Sequence, residues 1–439
     1  MREPIVPTRS RARISADNRE ELEGWIAERV EAHLRGAKRG GSVRVVDRDL
    51  ANVRAAMDWA VTSGQAEPHL RLTVALRGYW LLRSMFSEIA SSIEAALSLS
   101  AVEPALHARA LALAAVATLM GGQYRAAAVM AEEAVALARE TGDDQALSLS
   151  LAQLGWARFW LGDQGVAEAD EALSLADQSD LPHLMSALLY RGVIETNLQS
   201  PDAGRPYFDR CLTLADHKNA RYWPGTTGHF LGQGFVQQGR IHEAEDVLGR
   251  AAEACRAIGH DTFLVFNLAE LARCALFSGR LPLATQLADE AARVARELGP
   301  SAIAVASERR SLVPFASGDL AAARTSIEEA LSLWLEQGSA WHIAWMRVMR
   351  AAVTLVAGDA EVAQAMADDA VEVSRASGMR WQLGQALLWR ARVALARGHA
   401  EEGETLAHEA LQVMQRFGDR LGLAMTLETL AAAAVSGES

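Results

Sequence analysis

Hydrophobic and polar residues along most of the chain follow the period of an amphipathic helix, and the clearest unit runs from Ser317 to Gly338. It begins with the turn Gly318–Asp319 and ends at Gly338. Ala323 and Ala330 are seven residues apart, so they share one face of the predicted helix, where small side chains let a neighbouring helix approach closely. The pattern predicts one helix that is bounded by a glycine at each end.

The same unit recurs with a period of about 40 residues. The glycines that open it are Gly122, Gly239, Gly279, Gly318, Gly358 and Gly398. Small residues recur five and twelve positions after these glycines, at Ala127, Ala134, Ala244, Ala251, Ala284, Ala291, Ala323, Ala330, Ala363, Ala370 and Ala410. A fixed period with small residues at fixed sites is typical of repeat proteins, which stack neighbouring units instead of building one central core. We therefore expect an all-α, right-handed superhelical solenoid of about eight or nine helix pairs.

The pattern also places the first helix of each pair. These helices are expected at approximately 106–120, 145–161, 182–198, 220–237, 261–277, 301–316, 340–356, 380–396 and 420–434. The segment 220–237 is unusual because it contains Pro224 and the glycines Gly225, Gly228, Gly232 and Gly234. Each glycine costs roughly 1 kcal/mol relative to alanine inside a helix. We therefore expect a bend or local disorder in this segment.

Three regions are predicted along the chain. Residues 1–41 form a basic arm, a short amphipathic helix that begins near Asp17 and a flexible linker at Gly36–Gly41. Residues 42–105 form degenerate lead-in helices, and residues 106–439 form the repeat solenoid with a C-terminal capping helix. The basic arm could contact nucleic acid, but so short a basic terminus is more often simply solvated.

The amino-acid composition excludes several classes of function. The net charge of −12 disfavours direct nucleic-acid binding by the whole chain. Lys38 and Lys218 are the only lysines, and neither follows a glycine as a nucleotide-binding P-loop requires. No apolar run reaches the roughly 18 residues of a membrane span. The cysteines Cys211, Cys255 and Cys274 are odd in number and lack paired spacing, which favours reduced thiols and a cytoplasmic location.

The lead-in region contains three segments that resemble a known family. They are Asp-Leu-Ala-Asn-Val-Arg-Ala-Ala-Met-Asp-Trp-Ala at 49–60, Ala-Leu-Arg-Gly-Tyr-Trp-Leu-Leu-Arg at 75–83 and Ser-Glu-Ile-Ala-Ser-Ser-Ile-Glu-Ala-Ala-Leu at 87–97. Together with the repeats, over roughly 45–435, they resemble the tetratricopeptide-like (MalT-type) sensor region of large bacterial LuxR-type and related signal-transduction ATPase regulators.

The resemblance implies a tetratricopeptide-like fold and a regulatory sensor. In that family an ATPase domain precedes the repeats, and a helix-turn-helix precedes the ATPase or follows the repeats. This sequence has no P-loop, and its last residues, 424–439, contain no basic recognition helix. We therefore expect either a stand-alone sensor arm or a part of a longer product, and the family's ATP-dependent DNA activation does not carry over.

In tetratricopeptide repeats the first helix of each pair lines the concave surface. Counting back from the opening glycines places aromatic and charged side chains there, and such a groove suits a protein, a peptide or a small-molecule effector, with aromatics as anchors and arginines as orienting charges. Packing between helices is the alternative for each aromatic. The predicted groove residues are Trp156, Trp160, Tyr190, His229, Phe266, Arg273, Glu308, Arg310, Trp345, Arg350, Arg390 and Arg392.

Three of these arginines form a pattern of their own. Arg310, Arg350 and Arg390 each precede an opening glycine by eight residues, so stacking of the repeats would align them in a column. Such a column could hold a carboxylate or phosphate group of a partner. We favour the alternative in which the arginines pair with acidic residues of adjacent helices, such as Glu308, Glu328 or Asp369.

Catalytic and metal-binding motifs are missing from the sequence. Neither His-x-x-x-His nor Cys-x-x-Cys spacing occurs, and Gly-x-Ser-x-Gly is absent. We therefore expect no metal, no cofactor and no catalytic residue, and we interpret the chain as a non-enzymatic binding module. Two alternatives stay open: a receptor for an intracellular signalling peptide, and an enzyme that uses the solenoid cavity. The enzyme would require Trp156, Trp160, Tyr190, His229, Phe266 and Trp345 to converge on a closed pocket.

Overall fold

The structure is a computed structural model that describes residues 42–176, 181–218 and 220–437. The basic arm, short helix and linker predicted for residues 1–41 lie outside the described residues. Every regular element of the described chain is a helix. The lead-in region comprises α1 (Ser42–Thr62), α2 (Ala66–Ala75), α3 (Arg77–Leu82) and α4 (Phe86–Leu97).

Antiparallel helix pairs follow. They are formed by α5 (Pro104–Met120) and α6 (Tyr124–Thr141), α7 (Asp144–Leu161) and α8 (Val166–Leu175), α9 (Leu181–Leu198) and α10 (Pro201–Lys218), α11 (Tyr222–Gln237) and α12 (Ile241–Ile258), and α13 (Asp261–Phe277) and α14 (Leu281–Ala295). The remaining helices are α15 (Pro300–Arg310) and α16 (Leu312–Ser317) with α17 (Leu320–Gln337), α18 (Ala340–Val356) with α19 (Ala360–Ala376), α20 (Arg380–Ala396) with α21 (Ala400–Phe417), and the last helix α22 (Arg420–Gly437). The all-α solenoid predicted from the repeat is confirmed.

The repeating glycines and alanines explain these boundaries. From Gly122 to Gly418 each recurring glycine has a positive φ, such as 90° at Gly162, which ends the preceding helix at little cost because glycine lacks a Cβ. The recurring alanines are at most 2% exposed, so they lie at the contacts between helices as predicted. Asp143, Asp319 and Asp359 begin the following helices, because their carboxylates accept hydrogen bonds from main-chain N–H groups in the first turn.

The glycine-rich segment corrects one prediction. α11 is a continuous helix from Tyr222 to Gln237 and shows neither the bend nor the disorder that we expected. Its glycines let α12 approach closely. A Cβ on Gly225 would lie 2.4 Å from Cys255 Sγ, and a Cβ on Gly228 would lie 2.8 Å from the Cβ of Ala251. The low helix propensity of glycine is thus offset by tight packing between helices.

A second correction concerns 301–316, which was expected to be one helix. It is divided at Ser311 into α15 and α16. Pro314 explains the break, because its nitrogen carries no hydrogen for the carbonyl of Arg310 and its ring crowds that carbonyl. In the lead-in region the chain is also divided at Leu76, between α2 and α3.

Successive turns of the superhelix touch each other. α18 packs on α7 and α20 packs on α9, although these helices are far apart in sequence. Trp341 Nε1 in α18 donates a hydrogen bond of 2.8 Å to Asn197 Oδ1 in α9. Gln337 lies so close to Gly122 that a Cβ there would be 2.1 Å from its amide oxygen. The first helices therefore face one another across the axis of the solenoid.

Candidate functional site

Helices from two turns of the solenoid line a cavity that we call the inner chamber. It has a volume of about 50 Å³ and lies where α5–α7 of one turn meet α17 and α18 of the next, with α11, α13 and α15 between them. Its aromatic lining consists of Tyr124, Trp156, Trp160, Phe230, Phe263, Phe266 and Trp334. Its polar lining consists of His229, Gln233, Glu270, Ser301, Arg309 and His342.

The aromatic rings of the inner chamber form a continuous packed set. The imidazole of His342 is stacked between two indoles. Its ring centroid lies 3.7 Å from that of Trp334, with an interplanar angle of 9°, and 5.1 Å from that of Trp160, with an interplanar angle of 18°. The Nδ1 atom of His342 shares a hydrogen bond of 2.7 Å with the hydroxyl of Ser339. These rings come from α7, α17 and α18, so the stack joins the two turns of the superhelix.

Two acidic and two basic side chains form a buried ion-pair cluster beside the chamber. Arg309 Nη2 donates to Glu270 Oε1 at 2.8 Å, and Arg309 also pairs with Glu308. Arg273 Nη2 lies 2.8 Å from Glu270 Oε2. All four side chains are at most 3% exposed. Because the charges balance within the cluster, each buried charge has a compensating partner.

The cluster and the burial set the protonation states in the chamber. Burial alone would raise the pKa of Glu270, but the guanidinium groups of Arg273 and Arg309 outweigh it and lower the pKa to about 2. Burial lowers the pKa of His229 to about 4, although the nearby Glu270 carboxylate opposes this shift. Burial likewise lowers the pKa of His342 well below its usual value. Near neutral pH the two imidazoles are therefore uncharged and Glu270 is ionised.

Two fully buried nitrogens in the lining have no hydrogen-bond partner among the described residues. They are Trp156 Nε1 and His229 Nδ1. Trp156 stacks on Tyr190 with ring centroids 4.2 Å apart and contacts Phe230 edge-on with ring centroids 6.2 Å apart. Packing therefore fixes the position of its ring, while its N–H donates no hydrogen bond within the described residues. A buried polar group without a partner costs about 1–3 kcal/mol. The chamber therefore offers hydrogen-bonding capacity that the chain itself does not satisfy.

Seven of the predicted groove residues are brought together at or beside the chamber. Trp156, Trp160, His229 and Phe266 line it, Tyr190 lies behind Trp156, and Arg273 and Glu308 belong to the ion-pair cluster. Trp345 lies elsewhere, packed against Trp381 at 4.7 Å. Arg392 also lies elsewhere, where it donates to Thr429 Oγ1 at 3.1 Å and covers the ring of Trp389.

The predicted arginine column faces the second helices. Arg390 pairs with Asp368 and with Glu402, the latter at 2.6 Å, and Arg350 lies 3.9 Å from Glu328. Asp368 and Glu328 belong to α19 and α17 and Glu402 belongs to α21, all second helices of their pairs. Arg310, at the end of α15, is exposed. The pairing of Arg350 with Glu328 is one that we named as the alternative to a partner site.

Sequence analysis missed part of the chamber. It considered only first helices, so it overlooked Trp334, which comes from the second helix α17 and donates from Nε1 to Glu308 Oε2 at 2.9 Å. It also overlooked Glu270, His342 and Arg309. One signal was present for Glu270: it lies three residues before Arg273 in the largely apolar stretch from Phe263 to Phe277. Opposite charges at that spacing in an apolar helix indicate a buried pair.

Two features are absent from the described part of the chain. Among its residues, no three His, Cys, Asp or Glu side chains are grouped so that they could hold a metal ion. None of its helices combines the length and the apolar character that are needed to span a membrane.

Comparison with known proteins gives a distant relationship to regulators. No family model matches the chain. Over 294 residues it is 27% identical to proteins named "Putative HTH-type transcriptional regulator" from Mycobacterium bovis and Mycobacterium tuberculosis. The match covers 65% of this chain and 33% of each relative, so the chain spans about a third of the length of the curated relatives that it matches.

Solved structures show the fold. A Rap protein in complex with Competence and Sporulation Factor is similar with a TM-score of 0.52 at 11% identity, over 76% of this chain and 99% of that protein. Yeast Tom70 is similar with a TM-score of 0.42 at 14% identity, over 95% and 97% of the two chains. A signal-transduction ATPase with a tetratricopeptide repeat sensor from Pyrococcus horikoshii has a TM-score of 0.47 at 14% identity, over 79% of this chain and 51% of that protein. The similarity to the Rap protein extends over most of the chain and shows the fold, an all-α repeat solenoid.

Proposed function

We propose that the chain is a ligand-binding repeat module, a regulatory sensor or scaffold whose ligand enters the inner chamber. The observation that carries this proposal is the chamber itself. It combines stacked aromatic side chains with buried polar groups, two of which have no partner among the described residues. Binding sites in proteins commonly have this composition: mostly aromatic and apolar walls with a few placed polar groups.

The protonation states of the chamber favour binding over catalysis. A general acid or base works best when its pKa lies near the working pH. Here the pKa of His229 is lowered to about 4, mainly by burial. The pKa of Glu270 is also lowered, to about 2, because Arg273 and Arg309 overcome the opposing effect of burial. Neither group is poised to exchange a proton near neutral pH, so the enzyme alternative has weaker support.

The regulatory part of the proposal is supported by the sequence relationship. The mycobacterial relatives are described as transcriptional regulators, and this chain matches a third of their length. A sensor arm within such a system would respond to an effector and pass the response to other parts of the system. The fold does not decide between a small effector and a peptide, so the test of this function admits both.

The test is retention of a ligand from an extract of the source cells. The purified chain is incubated with the low-molecular-weight fraction, separated from unbound material and denatured, and the released molecules are identified by mass spectrometry. We expect a molecule that the wild type retains and that Trp156→Phe retains about three- to tenfold less. Phenylalanine keeps an aromatic ring in the wall and removes the unpaired N–H together with part of the indole ring, and one such hydrogen bond is worth about 0.5–1.5 kcal/mol.

Trp345→Phe is the matched control. Trp345 Nε1 is also buried and has no partner among the described residues, but this residue does not line the chamber. The control variant should retain the molecule as well as the wild type does. Equal loss in both variants, or no retained molecule at all, would contradict the chamber as the functional site.

A further inference from the structure

The inner chamber constrains the chemistry of its ligand, and the first constraint is hydrogen bonding. Trp156 and His229 are 4% and 6% exposed, and each carries a ring nitrogen without a partner among the described residues. The indole N–H can only donate, whereas Nδ1 of His229 donates or accepts according to its tautomer. A ligand group that accepts a hydrogen bond from Trp156 would therefore gain an interaction that the chain itself leaves unmade.

The second constraint is charge. Glu270 and Glu308 are balanced by Arg273 and Arg309 through direct ion pairs. No described charge in the cluster is left over to compensate a charged ligand, and an uncompensated charge is costly to bury. The chamber therefore favours an uncharged molecule over an anion or a cation of the same shape.

The third constraint is shape. The chain's own His342 shows what fits between these walls, because its flat ring is stacked between Trp334 and Trp160 with interplanar angles of 9° and 18°. Phe230, Phe263 and Phe266 add further ring surfaces to the lining. Planar rings make the best use of such walls, since offset stacking and edge contacts contribute beyond simple burial.

We propose that the inner chamber binds an uncharged, planar aromatic small molecule that carries a hydrogen-bond acceptor, such as a carbonyl oxygen, for Trp156 Nε1. This inference rests on the proposed function and gives the class of the ligand. No described residue of the lining has to react, so the interaction is reversible binding.

The size of the chamber adds a consequence. A cavity of about 50 Å³ has room for a few water molecules, whereas an aromatic ring needs more space. Part of its lining comes from Trp156 and Trp160 of α7 and part from Trp334 and His342 of the next turn. These walls are not adjacent in the chain, so a small increase in the spacing of the turns would enlarge the chamber. Binding is therefore coupled to separation of the turns.

Three matched probes test the ligand class. Benzamide, benzoate and benzamidinium have the same ring and similar size, but they are neutral, anionic and cationic. Their dissociation constants are measured by ligand-observed NMR titration of the wild-type chain. We expect benzamide to bind about tenfold or more tightly than either charged probe. Trp156→Phe should weaken benzamide binding about three- to tenfold, and Trp345→Phe should leave it unchanged.

Each other outcome is decisive. Benzoate or benzamidinium binding as tightly as benzamide would overturn the preference for an uncharged ligand. If Trp156→Phe leaves the affinity for benzamide unchanged, or if benzamide does not bind at all, the proposed ligand class is overturned. The extract experiment separates this failure from failure of the function: a Trp156-dependent peptide or charged molecule found there would keep the chamber as the site and reject only the aromatic class.

Discussion

At the scale of single residues, three histidines lose their charge when the chain folds. Burial lowers the pKa of His229 to about 4 and that of His260 to about 3, and it lowers the pKa of His342 well below its usual value. The unfolded chain takes up a proton at each histidine below about pH 6.5, whereas the folded chain does not. Folding stability should therefore fall as the pH drops from about 7 to about 5.

The expected slope is about 1.4 kcal/mol per pH unit for each histidine, measured from urea denaturation at several pH values. His260→Asn should reduce the slope by about one histidine's share, because burial is the only cause of its lowered pKa. His408→Asn, at a side chain that is 58% exposed in the folded chain, is the control for the substitution itself. An equal slope in wild type and His260→Asn would show that His260 gains its proton in the folded state as well.

Single residues also show which parts of the site could be predicted from the sequence and which could not. The aromatic groove residues could be predicted because they recur in register with the glycines, and Trp156, Trp160 and His229 do lie together. The pairing of Arg309 with Glu270 could not be predicted, because it joins residues 39 positions apart on different helices. Periodicity indicates which face of a helix points inward, but it does not indicate which inward side chains touch.

At the scale of elements, the packing of α11 on α12 gives a test of the glycine positions. A Cβ added to Gly228 would lie 2.8 Å from the Cβ of Ala251, which cannot move without its main chain. Gly228→Ala should therefore lower the free energy of unfolding by about 1–3 kcal/mol, as overpacking does. The midpoint of urea denaturation measures this change.

Gly249 in α12 is the control, because a Cβ there meets no atom within 4 Å. Gly249→Ala should raise the free energy of unfolding by about 0.5–1 kcal/mol, since alanine has the higher helix propensity. If Gly228→Ala were also stabilising, the two helices would have to separate easily, and propensity rather than close approach would govern α11.

The helix boundaries could be predicted from the sequence because they depend on residues at the ends of each helix. Glycines with a positive φ lie just before and just after these helices and end each helix through local chemistry, so α7, α13, α18 and α20 begin and end within one residue of the expected positions. The errors arose where local signals compete with packing. Propensity predicted a bend in α11, yet the contact of its glycines with α12 keeps the helix continuous.

At the scale of the whole molecule, contacts between turns convert a predicted groove into a chamber. The repeat pattern describes one helix pair and its immediate neighbours. It carries no information about the pitch of the superhelix, which decides whether α7 meets α18. The ring of Trp160 lies 6.2 Å from that of Trp341, and this contact closes the space that an extended partner would otherwise occupy.

The hydrogen bond between Trp341 and Asn197 gives this closure a direct test. Asn197→Ala removes the acceptor for the indole N–H of Trp341, which is 1% exposed, and should lower the free energy of unfolding by about 1–3 kcal/mol. Asn267→Ala is the control, because the partners of Asn267 Nδ2 all lie in consecutive pairs: the main-chain carbonyls of Phe263 and Gly225, and Cys255 Sγ at 3.8 Å. Hydrogen exchange measured by mass spectrometry should accelerate in α7 and α18 for Asn197→Ala alone.

Weaker contacts between the turns of the superhelix should also change the affinity for the ligand. If a ring enters the inner chamber only when the turns separate, the closed form competes with binding, and the apparent affinity is reduced by the fraction of molecules that are closed. Asn197→Ala raises the open fraction, so it should tighten benzamide binding several-fold, whereas Asn267→Ala should not. Weaker binding by Asn197→Ala would mean that the ligand bridges the two turns, and that the closed chamber is itself the binding form.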